Sequence, residues 1–211
     1  MALRGIKTSV PPLADLNLPE VISRLTYLPR GLVLVTGDTG SGKSTTLAAM
    51  IEEINRSTPH HILTIEDPIE FSFTDKRAVI NQREVGNDSK TFKAALRAAL
   101  RQDPDVIFVG EIRDLETASV ATQAAMTGHL VYSTVHARDS IGSVFRLLDL
   151  GLEPYLVANA LNLVMAQRLI RILCGSCRKR VKPTSAQTLA MGKFVEGVDA
   201  IYAPQGCSAC L

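Results

Sequence analysis

The chain has 211 residues, of which 46% are apolar, 21% are charged and 5% are aromatic, and its formal net charge is +2. This length fits one α/β domain with a small appendage, and the composition is that of a globular protein rather than a disordered one. No apolar run approaches the roughly 18 residues of a membrane span, and no apolar signal-peptide region follows the N-terminus, so we expect a cytoplasmic protein.

The first part of the chain predicts a linker and then a strand that enters a loop. Residues 1–30 contain four prolines and predict a linker with one short helix near residues 19–28. Residues 31–36, GLVLVT, form a continuous apolar run, which is typical of a strand buried on both faces of a parallel sheet. A glycine-rich loop follows, and the next segment predicts a helix over residues 43–55.

The remaining elements alternate between strands and helices as far as residue 170. Short apolar runs predict further strands at residues 61–65, 106–109 and 130–135. Helical spacing predicts a helix capped by Asp88 and Ser89, and further helices at residues 114–126, 140–150 and 154–169. This alternation predicts an α/β core over residues 31–170, with a mostly parallel sheet and helices on both faces.

Residues 37–44, GDTGSGKS, form a phosphate-binding loop of the pattern GxxxxGK[ST]. The glycines allow a tight turn whose N–H groups converge on phosphate oxygens at the start of a helix. We expect Lys43 to reach the β- and γ-phosphates of ATP as a catalytic group, and Ser44 to bind Mg²⁺. A chance match is disfavoured, because an apolar strand precedes the loop and a predicted helix follows it. The expected nucleotide-binding residues here are Gly37, Asp38, Thr39, Gly40, Ser41, Gly42, Lys43, Ser44 and Thr45.

Two acidic clusters follow predicted strands, at the strand ends where open parallel sheets place their active sites. EDPIE at residues 66–70 follows one strand, and GEIRD at residues 110–114 follows another. The usual aspartate of the second nucleotide motif is replaced by Gly110, so we expect Glu111 to be the general base or to orient water. Glu66 or Asp67 would assist the metal. The alternative, a strand-end acid that caps a helix, fits Asp114 better than Glu111.

His129 and His136 flank the strand predicted at residues 130–135. They are candidates for sensing the γ-phosphate or for contacting a neighbouring subunit, although histidines near strands are more often structural. Their odd separation of seven places them on opposite faces of a straight strand. We therefore expect them not to share one ligand, and we favour His136 for signalling.

All four cysteines lie in two CxxC pairs: Cys174, Cys177, Cys207 and Cys210. Paired CxxC knuckles are typical of a closed tetrahedral Cys₄ zinc site, because each short loop offers two thiolates from one side. Two disulfides are the competing interpretation, but they are rare in cytosolic proteins. A redox motif would not need two copies. We predict a zinc-binding lobe over residues 171–211.

Four segments together resemble the motor domain of the type II secretion and type IV pilus ATPases. They are GLVLVTGDTGSGKSTTLAAMIEEIN, TIEDPIEF, RAALRQDPDVIFVGEIRDLETA and TGHLVYSTVH. The resemblance implies a RecA-like P-loop NTPase fold and ATP hydrolysis in a hexameric ring that powers secretion or pilus movement. It also implies an inner-membrane platform protein as partner and a position on the inner face of the cytoplasmic membrane. NQREVG is similar to the retraction branch, whereas the CxxC pairs are similar to the secretion and assembly branch. We give the four cysteines more weight because they have a chemical role, so the resemblance is closer to the secretion and assembly branch.

Family members carry an N-terminal domain that supplies arginines to the nucleotide, and the resemblance implies such a domain on this or another chain. It likewise implies that the cysteine lobe is truncated here. Two other functions stay open. A nucleic-acid-translocating motor of the type IV secretion kind is disfavoured by the low aromatic content and the absence of tryptophan. A small-molecule kinase would need an acceptor pocket, and the sequence shows no arginine-rich segment of the kind that forms a lid.

Overall fold

Residues 5–195 and 197–210 are described in a computed structural model of the chain. The chain divides into two compact units, residues 1–168 and residues 169–211. This division falls two residues before the domain boundary predicted from the sequence.

A six-stranded sheet forms the centre of the first unit, and all of its strand pairs are parallel. The strand order is β3-β2-β4-β5-β1-β6, so β1 lies between β5 and β6, the last two strands of this sheet in sequence. The strands are β1 (Gly31–Thr36), β2 (His61–Glu66), β3 (Val79–Glu84), β4 (Val106–Val109), β5 (Leu130–Val135) and β6 (Leu161–Ala166). Because the strands are parallel, their carboxyl ends meet on one side of the sheet, and the phosphate loop and the strand-end acids follow them there.

Helices cover both faces of this sheet, as predicted. They are α1 (Val21–Leu25), α2 (Lys43–Ser57), α3 (Phe92–Ala99), α4 (Leu115–Met126), α5 (Ser140–Asp149) and α6 (Pro154–Ala160). The sheet has a hydrophobic core on each face, and successive side chains of β1 point alternately to these two cores. Leu32 and Leu34 pack in the first cluster, and Val33 and Val35 pack in the second. The first cluster contains α3, α4 and α6 residues, and the second contains α2 residues. Burial of these apolar side chains is the main stabilising contribution.

The structure differs from the prediction at three places. The helix predicted over residues 154–169 is wrong beyond Ala160, because residues 161–166 pair with the open edge of β1 and become β6. Strand β3 was not predicted; it is the opposite edge strand, and its sequence VINQRE alternates only weakly. The predicted cap of α3 is also wrong: Thr91 accepts the N–H of Ala94, while Asp88 accepts the N–H of Glu84 in the preceding turn.

The described part of the predicted linker, residues 5–30, packs within the first unit. A 3₁₀ turn (Leu13–Leu16) and α1 place Leu13 and Ile22 in the core beside α2. The buried hydroxyl of Tyr132 on β5 donates to the carbonyl of Thr26 at 2.8 Å, which ties this segment to the sheet. Residues 1–4 lie outside the described residues, and the role of the segment as a link to a further domain stays a prediction.

The second unit contains two short antiparallel strands, β7 (Lys179–Val181) and β8 (Ile201–Ala203), with α7 (Ser185–Met191) and a 3₁₀ turn (Gly192–Val195) between them. Thr184 and Gln187 form a capping box at the start of α7. Among the side chains described in this unit, none that is apolar is fully buried. A unit of this size without an apolar core needs another source of stability, such as a bound metal.

Within the described residues, no helix is both long and apolar enough to cross a bilayer.

Candidate nucleotide site

The phosphate-binding loop connects the carboxyl end of β1 to the amino end of α2, as predicted. Gly37, Gly40 and Gly42 have φ values of +145°, +79° and +90°, a region that side-chain-bearing residues rarely adopt. The helix begins at Lys43, and its first backbone bond joins the N–H of Thr46 to the carbonyl of Gly42. The free N–H groups of this first turn and the positive end of the helix dipole therefore face the loop.

Lys43 lies across the loop that it is predicted to serve. Its Nζ donates to the carbonyls of Gly37 at 2.8 Å and Asp38 at 2.9 Å. Partial burial lowers the pKa of Lys43, and the negative charges of Asp38 and Glu70 act in the opposite direction. The ammonium group is thus held within the loop, where a phosphate oxygen would be a stronger acceptor than a neutral carbonyl.

The loop also contains a buried hydroxyl group that could donate a hydrogen bond to a nucleotide phosphate. Ser41 Oγ is buried and has no hydrogen-bond partner among the described residues. A Cβ added to Gly37 would lie 2.7 Å from this oxygen, so the loop has no space for a side chain there. An unpaired buried hydroxyl is costly unless a ligand satisfies it. The glycines, Lys43 and Ser41 therefore fit a nucleotide phosphate group, and the half-buried hydroxyl of Ser44, next along the helix, is an oxygen ligand of the kind Mg²⁺ prefers.

The first acidic cluster begins on β2 itself. Glu66 is the last residue of β2 and is buried; its Oε1 accepts from Thr64 Oγ1 at 2.7 Å and from Gln82 Nε2 at 3.2 Å. Burial raises the pKa of Glu66, and these two hydrogen bonds act in the opposite direction. Asp67 is exposed in the following loop. Glu66 is therefore a preorganised carboxyl group, whereas Asp67 is open to solvent.

Glu111 follows β4 and meets His136, which follows the neighbouring strand β5. Glu111 Oε2 lies 3.3 Å from His136 Nε2, and its other oxygen pairs with Arg113. The Glu111 side chain is 13% exposed, against 59% for His136. Burial lowers the pKa of His136, and the positive charges of Lys43, Arg113 and Arg146 lower it further. The Glu111 carboxylate and the His136 imidazole are therefore in close contact at the ends of adjacent strands.

His129 lies at the amino end of β5, on the side of the sheet opposite to the phosphate loop. It precedes β5, its backbone carbonyl accepts from the N–H of Gly31 at the start of β1, and its Nδ1 lies 3.1 Å from the carbonyl of Ala124. The six residues of β5 separate it from His136 by about 20 Å. The structure therefore brings His136 to the loop edge, together with Glu111 and Glu66, and does not bring His129 there.

Two glutamines beside these groups were missed by sequence reasoning. Gln82 on β3 bonds Glu66 as well as the backbone of Phe71 and Phe73, so it holds the acidic loop against the sheet. Gln167, directly after β6, accepts from Thr46 of α2 at 2.9 Å. Both lie in or after strands that the sequence did not reveal, and their partners are distant along the chain. No local pattern could have identified them.

The four cysteines of the second unit form one cluster, because the β7–β8 pair brings the two CxxC turns together. All four Sγ atoms lie within 4.8 Å of one another, with Cys177 to Cys210 at 3.7 Å and Cys207 to Cys210 at 3.8 Å. All four are free thiols. A tetrahedron with Zn–S bonds of about 2.3 Å has sulfur–sulfur distances of about 3.8 Å. The cluster therefore has the size of a Cys₄ metal site.

Comparison with known proteins decides the family. The sequence profile of the family described as "Type II/IV secretion system protein" matches residues 14–211. The chain belongs to this family. The type II secretion system protein E of Aeromonas hydrophila is 49% identical over 192 residues, which cover 90% of this chain and 37% of that protein. The "Type IV pilus retractation ATPase PilT" of Pseudomonas aeruginosa is 48% identical over 178 residues, which cover 82% of this chain and 52% of that protein.

A solved structure of this family shows the same fold. The crystal structure of the pilus retraction motor PilT with bound ADP superimposes with a TM-score of 0.74 at 38% identity, covering 92% of this chain and 60% of that one. Family membership confirms the resemblance inferred from the four sequence segments, and the match to this structure confirms the predicted fold. The chain spans about a third to a half of the length of the type II/IV secretion relatives that it matches.

Proposed function

We propose that this chain is an ATP-hydrolysing motor domain of a type II secretion or type IV pilus machine. The observation that carries this proposal is the alignment of groups along one edge of the sheet. The phosphate loop follows β1, His136 follows β5, Glu111 follows β4 and Glu66 ends β2, and these four strands are consecutive neighbours in the sheet. The names of the relatives, which include secretion and pilus ATPases, support the same function.

The residues divide the work of phosphoryl transfer. The loop N–H groups, Ser41 and Lys43 would bind the phosphates, and Ser44 would hold Mg²⁺, which supplies charge neutralisation when it is bound. The side chain of Glu111 is only 13% exposed and lies beside His136 at the strand ends that carry the phosphate loop, so its carboxylate is placed to accept a proton from water or to orient it. Glu66 and Asp67 would assist at the metal from the neighbouring strand end.

Two substitutions test these roles. Lys43→Ala should weaken nucleotide binding and abolish turnover, because the loop loses its only ammonium group. Glu111→Gln should bind ATP like the wild type but lower kcat by 100-fold or more, as expected for loss of a general base, which contributes about 10²–10⁴-fold. Glu116→Gln is the matched control, since Glu116 is an exposed carboxylate on α4 paired with Lys93. Wild-type turnover in Glu111→Gln would refute the assignment of Glu111.

The assembly proposed for the full-length protein is a homo-hexamer, with an N-terminal domain over the nucleotide and a platform protein at the inner membrane as partner. Hydrolysis would then take place between subunits, and the ring would lie on the inner face of the cytoplasmic membrane. Arg83, Arg97, Arg101 and Arg113 are candidates either for phosphate contacts across the subunit boundary or for surface ion pairs. Of these, Arg113 pairs with Glu111 within this chain. Sedimentation with and without nucleotide, on this chain and on a chain that includes the N-terminal domain, tests the ring; monomers in every condition would contradict it.

We further propose that the four-cysteine cluster binds one structural Zn²⁺. The sulfur distances match a tetrahedral site, and all four thiols are free to bind a metal. Metal analysis of purified protein should give about one zinc per chain, and Cys177→Ser should lose the metal and melt the second unit. Ser208→Ala, within the second knuckle but without a ligand atom, is the control. Four titratable thiols without metal would refute the site.

The alternative motor, one that translocates nucleic acid, receives no specific support from the described residues or from the relatives. ATPase activity stimulated by DNA would favour it.

A further inference from the structure

We propose that Gln167 is a positioning residue that clamps both ends of the phosphate-binding loop from the carboxyl end of β6. The proposal deepens the nucleotide function proposed above and depends on it. Three contacts carry it, two made by the backbone of Gln167 and one made by its side chain.

The backbone contacts hold the start of the loop. The N–H of Gln167 donates to the carbonyl of Thr36 at 2.8 Å, which extends the pairing of β6 with β1 to the last residue before the loop. The carbonyl of Gln167 then faces Gly37 so closely that a Cβ at Gly37 would lie 2.2 Å from it. The first loop residue is therefore packed against Gln167, and only glycine fits there.

The side-chain contact holds the end of the loop. Thr46 Oγ1 donates to Gln167 Oε1 at 2.9 Å, from a position one helical turn after Lys43. The side chain of Thr46 is buried in the first turns of α2. Gln167, directly after β6, thus contacts the loop at Gly37 and the helix at Thr46, so this one residue holds both ends of the loop.

The hydroxyl of Thr46 behaves differently from those of other buried helical threonines in the chain. Thr122 donates to the carbonyl of Ala118, four residues earlier in its own helix, and Thr117 donates to the side chain of Asp114, the cap of the same helix. Thr26, directly after α1, donates to the carbonyl of Ile22. This local bond is the usual choice of a threonine within a helix. Thr46 instead bonds a residue 121 positions away in sequence. Its hydroxyl therefore connects elements rather than satisfying its own helix.

A clamp of this kind matters for binding because the loop N–H groups must already point inward when phosphate arrives. If the loop is free to move, phosphate binding must also order it, and part of the affinity is lost. The loop would contact the phosphates both before and during the reaction, so loosening it should raise KM and the nucleotide Kd with little change in kcat.

Isosteric substitutions of the two partners test the proposal on the whole chain. Thr46→Val and Gln167→Met each remove the hydrogen bond while keeping the volume. Each should raise the Kd for a fluorescent ATP analogue, and the KM for ATP, by about 3- to 10-fold, as expected for the loss of one partly buried hydrogen bond. The double variant should be no weaker than either single variant, because both remove the same interaction. Thr46→Ser keeps the hydroxyl and should restore binding to that of the wild type.

Thr122→Val is the matched control, since Thr122 is an equally buried helical threonine with a local bond. It should lower the melting temperature about as much as Thr46→Val and leave the Kd unchanged, which separates positioning from a general loss of stability. The proposal is overturned if Thr46→Val and Gln167→Met bind the analogue as tightly as the wild type, or if the control weakens binding equally. If the wild-type chain binds no nucleotide, the proposed function fails and this inference fails with it.

Discussion

Substitution of Gly37 by alanine is the sharpest test of how the phosphate loop is built. Gly37 has a φ of +145°, and its position faces the backbone of Gln167. Gly40 provides the matched control within the same loop, because it has a φ of +79° and nothing lies within 4 Å of the Cβ that alanine would add there. Both variants add one methyl group at a positive φ, and only Gly37→Ala adds a clash.

The expected cost follows from these two contributions. The backbone conformation of Gly37 should cost an alanine about 1–3 kcal/mol of free energy of unfolding. A Cβ at 2.2 Å from the Gln167 carbonyl forces a backbone shift, and such overpacking costs about 1–3 kcal/mol more. The left-handed conformation at Gly40 costs an alanine about 1–2 kcal/mol alone. Since a domain of this size loses about 2–4 °C per kcal/mol, Gly37→Ala should melt several degrees below Gly40→Ala.

Thermal unfolding followed by circular dichroism measures this difference, and titration with a fluorescent ATP analogue shows whether the loop still binds. We expect Gly37→Ala to weaken binding strongly, because the backbone must move away from Gln167 and carry its N–H groups with it. Equal melting temperatures for the two variants, or wild-type affinity in Gly37→Ala, would refute the close packing of Gly37 against Gln167.

Two further predictions concern stability away from the loop. Tyr132→Phe should lower the free energy of unfolding by about 1–2 kcal/mol in a urea titration, because the buried carbonyl of Thr26 loses its hydrogen bond. Tyr155→Phe, on an exposed ring, is the control and should change this free energy little. Burial raises the pKa of Glu66 above 4.5, so the folded state binds this proton more tightly and loses stability as pH rises through the folded pKa. Glu66→Gln should therefore be more stable than the wild type at pH 8 but not at pH 4, and a constant difference would contradict this.

Local signals in the sequence were sufficient for the elements that contain the site. The strand at residues 31–36 and the start of α2 at Lys43 were predicted with the bounds that the structure shows, because a continuous apolar run and a glycine-rich turn mark them. Asp114 caps α4 as expected from its place after a strand, and it accepts the N–H of Thr117. These features depend on residues that are neighbours in the chain.

Long-range pairing decided the rest. Residues 161–166 have an apolar pattern that suits a helix or a strand, and only the free edge of β1 makes them a strand. β3 likewise depends on the edge of β2. Gln82 lies on the edge strand β3, and Gln167 directly follows the other edge strand, β6. Their hydrogen-bond partners Glu66 and Thr46 are distant in sequence, so no local spacing reveals these contacts.

The sequence by itself therefore determined the phosphate loop, the strand-end acids and the paired cysteines, since each is a short pattern whose chemistry is local. Only the tertiary structure decided which of the predicted groups meet. It placed His136 in contact with Glu111 and His129 at the opposite ends of the strands. It also brought Gln167 into contact with Gly37 and Thr46. The physical reason is that side chains distant in sequence come within hydrogen-bond reach only when strands pair and helices pack.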